Sequence, residues 1–286
     1  MTTAAAPELP AAEEARLLEK DAHLRRTLAG MGSVIVAFSG GTDSAYLAWV
    51  ATSVLGGAAH CITADSPSYP ARHRAVAERL ARDFSLHHEF ILTGEMEKPE
   101  YRANEPDRCY YCKQELFTQL TALARERNIA AVLDGANADD RGDYRPGRKA
   151  ARELGVRSPL DEADLAKAEI RELSRRAGLP TWDEPASACL SSRIPYHSHV
   201  TPEKLAMIER AEDALIALGF RVCRVRHHDD VARVELGPDE MARALEPAAR
   251  EAIVRDLKAI GYRYVTLDLQ GYRMGRLNDG VRLQPV

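Results

Sequence analysis

The stretch Ser33-Val-Ile-Val-Ala-Phe-Ser-Gly-Gly-Thr-Asp-Ser44 decides the fold. Its first half is a short, β-branched apolar run of the buried-strand type. Its second half turns through Gly40-Gly41 into Thr42 to Val54, which has helical spacing and carries Asp43 in its first turn. Two glycines let a backbone turn tightly and approach a ligand without a Cβ clash. The free N–H groups of a helix starting there point into the loop, and its dipole favours an anion. Ser39 and Ser44 add hydroxyl donors. A strand, a glycine turn and a helix in this order predict a polyphosphate cradle. No Gly-Lys-Ser/Thr follows, so this is not a Walker A loop. The alternative is a plain tight turn.

Outward from this stretch, Ala59–Ala64, His88–Leu92 and Ala130–Leu133 read as further strands, with helical stretches over Ala71–Phe84 and Lys113–Asn128. Strands alternating with helices imply βαβ units and a parallel sheet covered on both faces, with ligands at the carboxyl ends of the strands. The first thirty residues, rich in Ala, Glu and Leu, read as a surface helix or a loose arm. After about residue 186 the pattern changes. Thr201-Pro202-Glu203 is a helix start, with Leu205, Ile208, Leu215 and Leu218 as one apolar stripe and Gly219 as the stop. Arg221–His227 and Val231–Leu236 alternate as a hairpin around His228-Asp229-Asp230. A helix over about Pro238–Ile260 and a last strand, Tyr262–Leu269, complete an α-β-β-α-β order. The expected fold class is α/β, a doubly wound parallel sheet over residues 1–186, with a smaller C-terminal α+β domain over 187–286. No repeat at a fixed period is visible.

The chain has 286 residues and a net charge of −4, with 45% hydrophobic and 29% charged residues. This is an ordinary globular composition, and it excludes collagen-like, low-complexity and wholly disordered chains. Neither part of the chain is a polycation, which argues against a nucleic-acid partner. The longest uncharged stretch, Ser44–Ala64, contains Gly56-Gly57 and His60, so it reads as helix, turn and strand rather than a membrane span. The first residues lack a basic, then apolar, secretory signal, so the expected location is cytoplasmic. Five cysteines are too few for a disulfide scaffold, and clustered thiols suggest metal or redox chemistry.

Three more constellations carry chemistry. Asp134-Gly-Ala-Asn-Ala-Asp-Asp140, then Asp143-Tyr-Arg-Pro-Gly147, follow the Ala130–Leu133 strand. Carboxylates there hold Mg²⁺ or order the loop. Cys109-Tyr-Tyr-Cys112 is a C-x-x-C pair, and Cys189 lies far along the chain. Three thiolates leave one position of a metal centre open, which suits catalysis better than a closed structural site. A redox dithiol, or Zn²⁺ closed by His197, His199 or Cys223, is the rival. Cys61, on a strand, reads as a small buried hydrophobe, and Cys223 as structural. Finally, Arg224-Val-Arg226 places two guanidiniums on one strand face, a bidentate anion clamp. Arg233 and Glu235 alternate likewise opposite, and Ser192-Arg193 join from the domain junction. The bland reading is a salt-bridged outer sheet face.

The Ser39-Gly-Gly-Thr-Asp-Ser44 loop resembles that of the PP-loop ATP pyrophosphatases. With Asp143-Tyr-Arg-Pro-Gly147, Ser158-Pro-Leu160, Ala188-Cys-Leu-Ser-Ser-Arg193, Arg224-Val-Arg226 and Tyr264-Val-Thr-Leu-Asp-Leu269, the chain resembles the LarE family from about Ser33 to Asp279. The resemblance implies an ATP-dependent sulfur transferase acting in nickel-pincer cofactor biosynthesis. Such enzymes adenylate a carboxylate of pyridinium-3,5-biscarboxylic acid mononucleotide, and a sulfur nucleophile then displaces AMP. It further implies that Ala37, Phe38, Ser39, Gly40, Gly41, Asp43, Ser44, Asp65, Ser66 and Gly135 hold ATP, with Mg²⁺ on the phosphates. Ser192, Arg193, Arg224 and Arg226 would grip the substrate phosphate, supported by Glu212, Glu235, Asp139 and Asp143. In one branch a cysteine just before the position of Cys189 gives up its own sulfur, and here that position is Ala188. Cys109, Cys112 and Cys189 match instead the branch in which three cysteines hold a 4Fe-4S cluster that carries the donated sulfide. Implied partners are the small mononucleotide, a sulfide-supplying protein and further copies of the chain. The rival activities are tRNA thiolation, ammonia-dependent amide synthesis and non-enzymatic nucleotide binding.

Overall fold

The computed structural model describes residues 9–142, 145–185 and 188–273. The quoted stretch forms β1 (Val34–Ala37) and α2 (Thr42–Leu55), preceded by α1 (Ala11–Ala29). Then follow β2 (Ala59–Asp65), α3 (Ala71–Asp83), β3 (His87–Leu92), α4 (Pro99–Ala103), α5 (Arg108–Glu126) and β4 (Ala131–Leu133). The four strands make one all-parallel sheet in the order β3-β2-β1-β4. All four β1 residues are buried, as a central parallel strand requires. Val34 and Val36 face a core shared with α1, α2 and α3, while Ile35 and Ala37 face α5. Each fully buried Val or Ile contributes about 1.5–3 kcal/mol of burial free energy.

The strand order places the site. The chain walks from β1 outward to β3, then returns to lay β4 on the other flank of β1. The crevice where the order reverses lies beyond the carboxyl ends of β1 and β4, the ligand position of open α/β sheets. The Ser39–Ser44 loop leaves β1 there, and Asp134-Gly135 leaves β4 there.

The N-terminal segment takes the first of its two expected forms, a helix, held by Leu17, Leu24 and Leu28, which share one stripe and are all buried. Two differences from the sequence reading follow. α5 starts at Arg108, ahead of the expected Lys113, so Cys109 and Cys112 sit in its first turns. α6 (Pro146–Glu153), α7 (Pro159–Glu162) and α8 (Lys167–Arg176) follow β4, and the strand–helix alternation alone did not announce them.

Beyond these, α9 (Pro202–Ala217) starts on Thr201, whose side chain accepts a hydrogen bond from the Lys204 N–H. β5 (Cys223–His228) pairs antiparallel with β6 (Val231–Leu236), and β7 (Tyr264–Leu267) joins β6 in parallel. The single helix expected over Pro238–Ile260 is broken into a 3₁₀ turn, α10 (Met241–Ala244) and α11 (Pro247–Ile260). Pro247 lacks an N–H and holds Glu246 in the extended region, with a ψ of 139°, so one helix ends and another begins there. The last strand is shorter than Tyr262–Leu269 because pairing with β6 runs only from Val231 to Val234. Among the described residues no helix is long and apolar enough to cross a membrane.

Candidate functional site

The loop after β1 is shaped for close approach. Gly40 has a φ of 72°, and a Cβ there would press on Ala77 of α3 at 3.4 Å. Gly135 packs against the start of α2 so closely that a Cβ would lie 3.1 Å from the Ser44 nitrogen. No side chain caps α2, whose N-cap is Gly41, so its first N–H groups face the crevice. The Ser44 hydroxyl donates to the Gly41 carbonyl at 3.1 Å, accepts from the Ser39 N–H at 3.1 Å and lies 3.0 Å from the Ser39 hydroxyl. Tyr69 donates to the Ser39 carbonyl at 3.0 Å and so ties α3's approach to the loop. Ala37 and Phe38 are buried beneath.

Asp43 faces an unanticipated partner, Lys167 at the start of α8, whose Nζ lies 2.5 Å from Oδ2. Its Oδ1 is buried without a hydrogen-bond partner. Burial pushes the Asp43 carboxyl up, against the pull of Lys167. Asp139 accepts from the Lys167 N–H at 2.9 Å and so caps α8. Asp140 pairs with Arg145 at 2.9 Å and accepts from the Asn137 N–H at 3.1 Å. These two aspartates therefore order the loop. Asp143 lies outside the described residues. At the end of β2, Asp65 pairs with Arg74, and the Ser66 hydroxyl lies 2.9 Å from that of Ser68.

The second centre is the sulfur region. Cys109 is exposed, and Cys112 and Cys189 are half-buried. Cys189 precedes the 3₁₀ turn Leu190–Arg193, which packs on α4 and α5 through Leu190, Ile194 and Tyr101. Tyr101 and Ser191 share a hydrogen bond of 2.6 Å. Cys112 lies within electrostatic range of both Cys109 and Cys189, and burial pushes its thiol up. Among the described residues, no three His, Cys, Asp or Glu side chains converge as ligands of a single ion. The donor chemistry still fits a larger iron–sulfur group: two thiols one helical turn apart, a third from a facing segment, and the buried Arg108 beside them. Cys61 and Cys223 are buried as expected, and burial pushes each thiol up to about 12.

The third centre joins the two sheets. Arg193, fully buried, forks onto Glu212 of α9 with contacts of 2.7 and 2.9 Å. Its other nitrogen donates to the carbonyls of Ala188 and Cys189 at 2.7 and 2.9 Å. Glu212 also accepts from Arg72 of α3 at 2.7 Å and from the Val225 N–H at 3.2 Å. Burial alone would raise the Glu212 carboxyl, but Arg193, then Arg224 and Arg72, hold it down at about 2. Arg226 donates to Glu235 at 2.8 Å and to the Ser192 carbonyl at 2.7 Å, and its Nε is buried without an acceptor. Arg224 lies over Tyr272 and is depressed by burial and by the Arg193 charge. An anion between these guanidiniums would relieve both burdens. His73 of α3 sits beside the same cations, and burial followed by the charge of Arg72 pulls it down to about 4.

The structure thus gathers Ser192, Arg193, Arg224, Arg226, Glu212 and Glu235 into one region, and Ser39–Ser44 with Gly135 into another. Lys167, Arg72 and Arg108 escaped the sequence reading. The Lys167–Asp43 pair spans 124 residues and the Arg72–Glu212 pair 140, so no local pattern marks them.

No family model matches the chain. It is 43% identical over 256 residues to an uncharacterized protein of Synechocystis sp., covering 90% of this chain and 96% of that one. It is 38% identical over 266 residues to the pyridinium-3,5-bisthiocarboxylic acid mononucleotide synthase of Lactiplantibacillus plantarum, covering 93% of this chain and 96% of the relative. An uncharacterized protein of Methanocaldococcus jannaschii is 28% identical over 240 residues, covering 84% of this chain and 90% of that one. On the extent of the second match, the chain belongs to the family of that synthase, the LarE family.

Proposed function

We propose that the chain is an ATP-dependent sulfur transferase that converts a carboxylate of pyridinium-3,5-biscarboxylic acid mononucleotide to a thiocarboxylate. The observation that carries this reading is the match along nearly the whole chain to a synthase whose name specifies the bisthiocarboxylic mononucleotide. The uncapped α2 terminus and the cluster of buried guanidiniums support the reading, the first as a site for a polyphosphate and the second for a phosphomonoester.

The chemistry follows from leaving groups. A carboxylate oxygen attacks the α-phosphorus of ATP, and pyrophosphate departs into the Ser39–Ser44 loop. The acyl adenylate then accepts a sulfur nucleophile at its carbonyl carbon, and AMP leaves with one former carboxylate oxygen. The N–H groups of Gly40, Gly41 and the first turn of α2 hold the departing pyrophosphate. Asp43, with its unpartnered Oδ1, and its neighbour Lys167 stand at that phosphate end. Mg²⁺, when bound, neutralises phosphate charge there. Asp65 and Ser66, at the end of β2, would face the adenosine. Ser192, Arg193, Arg224 and Arg226 would hold the substrate phosphate and aim its ring carboxylate at the α-phosphorus. Cys109, Cys112 and Cys189 would hold a 4Fe-4S cluster, which supplies a sulfide site when bound. With Ala188 in place of a sacrificial cysteine, the sulfur would come from outside the chain, through inorganic sulfide or a sulfide-supplying protein. The division into an ATP-binding part, 1–186, and a substrate-phosphate part, 187–286, belongs to the same reading. So do a homo-oligomeric state and a cytoplasmic setting that keeps the thiols reduced.

The test is an anaerobic incubation with ATP, Mg²⁺, the dicarboxylate mononucleotide and sulfide. Pyrophosphate release that requires the mononucleotide, with a product heavier by sulfur-for-oxygen exchange, is expected. Pyrophosphate release without the mononucleotide, or no sulfur in the product, overturns the reading.

A further inference from the structure

Arg108 is the first residue of α5 and is 2% exposed. Its guanidinium donates to the Asn104 Oδ1, to the Ser191 carbonyl at 2.9 Å and toward the Cys109 sulfur at 3.9 Å. Every one of these partners is formally neutral. Among the described residues no carboxylate forms an ion pair with it, whereas buried Arg193 has Glu212 and buried Arg226 has Glu235. The nearby acids are engaged elsewhere. Glu95 accepts from the hydroxyls of Ser68 and Thr93 at 3.0 and 2.7 Å, and Asp107 faces Tyr111.

A buried cation without a counter-ion is strongly unfavourable. Its position makes this worse, because α5 is a 19-residue helix whose N-terminus already carries partial positive charge. The guanidinium stands beside two of the three cysteines: its Nη2 reaches Cys109, its Nη1 holds the carbonyl two residues beyond Cys189, and it lies within electrostatic range of the Cys189 sulfur. One side chain therefore spans both ends of the thiol set and supplies positive charge between them.

We propose that Arg108 is a positioning residue and the counter-charge of an anionic sulfur centre on Cys109, Cys112 and Cys189, one that retains anionic sulfur of the hydrosulfide class. This rests on the reading that these cysteines hold the iron–sulfur group. Three thiolates outweigh the positive charge of the cluster core, and a bound hydrosulfide adds to the excess. The fork of Arg108 offsets part of it while tying the Cys189 segment to the helix that carries the other two thiols.

The experiment compares wild type, Arg108→Gln and Arg108→Lys, each reconstituted anaerobically and desalted. Iron, acid-labile sulfide and the reduction potential of the bound group are read, together with melting of the apoprotein. Gln keeps a neutral donor and loses the charge; Lys keeps the charge and loses the fork. The expected result is at least a several-fold loss of iron and sulfide in Gln, a more negative potential in what remains, and substantial retention in Lys. A Gln variant with wild-type iron, sulfide and potential overturns the proposal. The Lys variant covers the case in which Gln disturbs the fold: loss of iron from a folded Lys variant also overturns it. If the wild type itself takes up no iron, the cluster reading fails and the proposal falls with it. Iron in the wild type with indifference to Arg108→Gln leaves that reading standing and removes only the role of Arg108.

Discussion

The Ser39–Ser44 loop and the Arg193–Glu212 region are the two anion sites of the proposed reaction, and they would hold their anions by opposite means. The loop uses backbone N–H groups and the end of a helix, all supplied by one short stretch of chain. The guanidinium region uses charged side chains from α3, α9, β5, β6 and the 3₁₀ turn after Cys189, locked in buried ion pairs. In the loop no single side chain carries the charge. In the guanidinium region each partner holds another, so removing one strands a buried charge. The first should tolerate substitutions that keep its shape, and the second should fail at single residues.

The largest effect is expected at Glu212. Glu212→Gln leaves fully buried Arg193 without its carboxylate and should destabilise the protein by about 3–5 kcal/mol, read by urea unfolding. The same residue sets an acid limb. Its carboxyl stands at about 2 against an ordinary 4.5, so its stabilisation is complete above the ordinary value and is lost as pH falls from there toward 2. Melting temperature across that window should fall less steeply in Glu212→Gln than in wild type; parallel curves would contradict the ion-pair assignment.

Next comes shape in the loop. Gly135→Ala places a Cβ 3.1 Å from the Ser44 nitrogen, so the β4 loop or α2 must shift. The expected cost is about 1–3 kcal/mol, with weaker ATP binding by equilibrium titration. An alanine variant that binds ATP normally would show that this close approach is not needed. Arg224→Ala should raise the KM for the mononucleotide about tenfold or more and leave ATP affinity unchanged, in line with the loss of one charged hydrogen-bond donor. Unchanged kinetics would remove Arg224 from the clamp. The smallest effect is at Thr201, where the cap bond to the Lys204 N–H is long at 3.3 Å. Thr201→Ala should cost about 1 kcal/mol and leave turnover untouched.

The same contrast explains what the sequence discloses. The β1–loop–α2 unit, the β5–β6 hairpin and the Thr201 cap are local, and each is legible because neighbouring residues dictate the backbone. The pairs Arg72–Glu212 and Lys167–Asp43 join residues far apart along the chain, and nothing beside Arg72 or Lys167 announces its partner. Arg108 was hidden differently. It lies ahead of the helix expected from Lys113, nothing in its neighbourhood sets it apart from other arginines, and only its burial makes it chemically significant. Pro247 lies inside the stretch expected as one helix, Pro238–Ile260, and its missing N–H makes two.

The most direct measurement follows oxygen. The dicarboxylate mononucleotide is labelled with oxygen-18 in its ring carboxylates and turned over with ATP and sulfide, and the nucleotide products are analysed by mass spectrometry. Adenylation followed by sulfur displacement predicts AMP carrying one labelled oxygen for each thiocarboxylate formed, with unlabelled pyrophosphate. Unlabelled AMP, or label in inorganic phosphate beside ADP, would contradict carboxylate adenylation as the chemistry of this site.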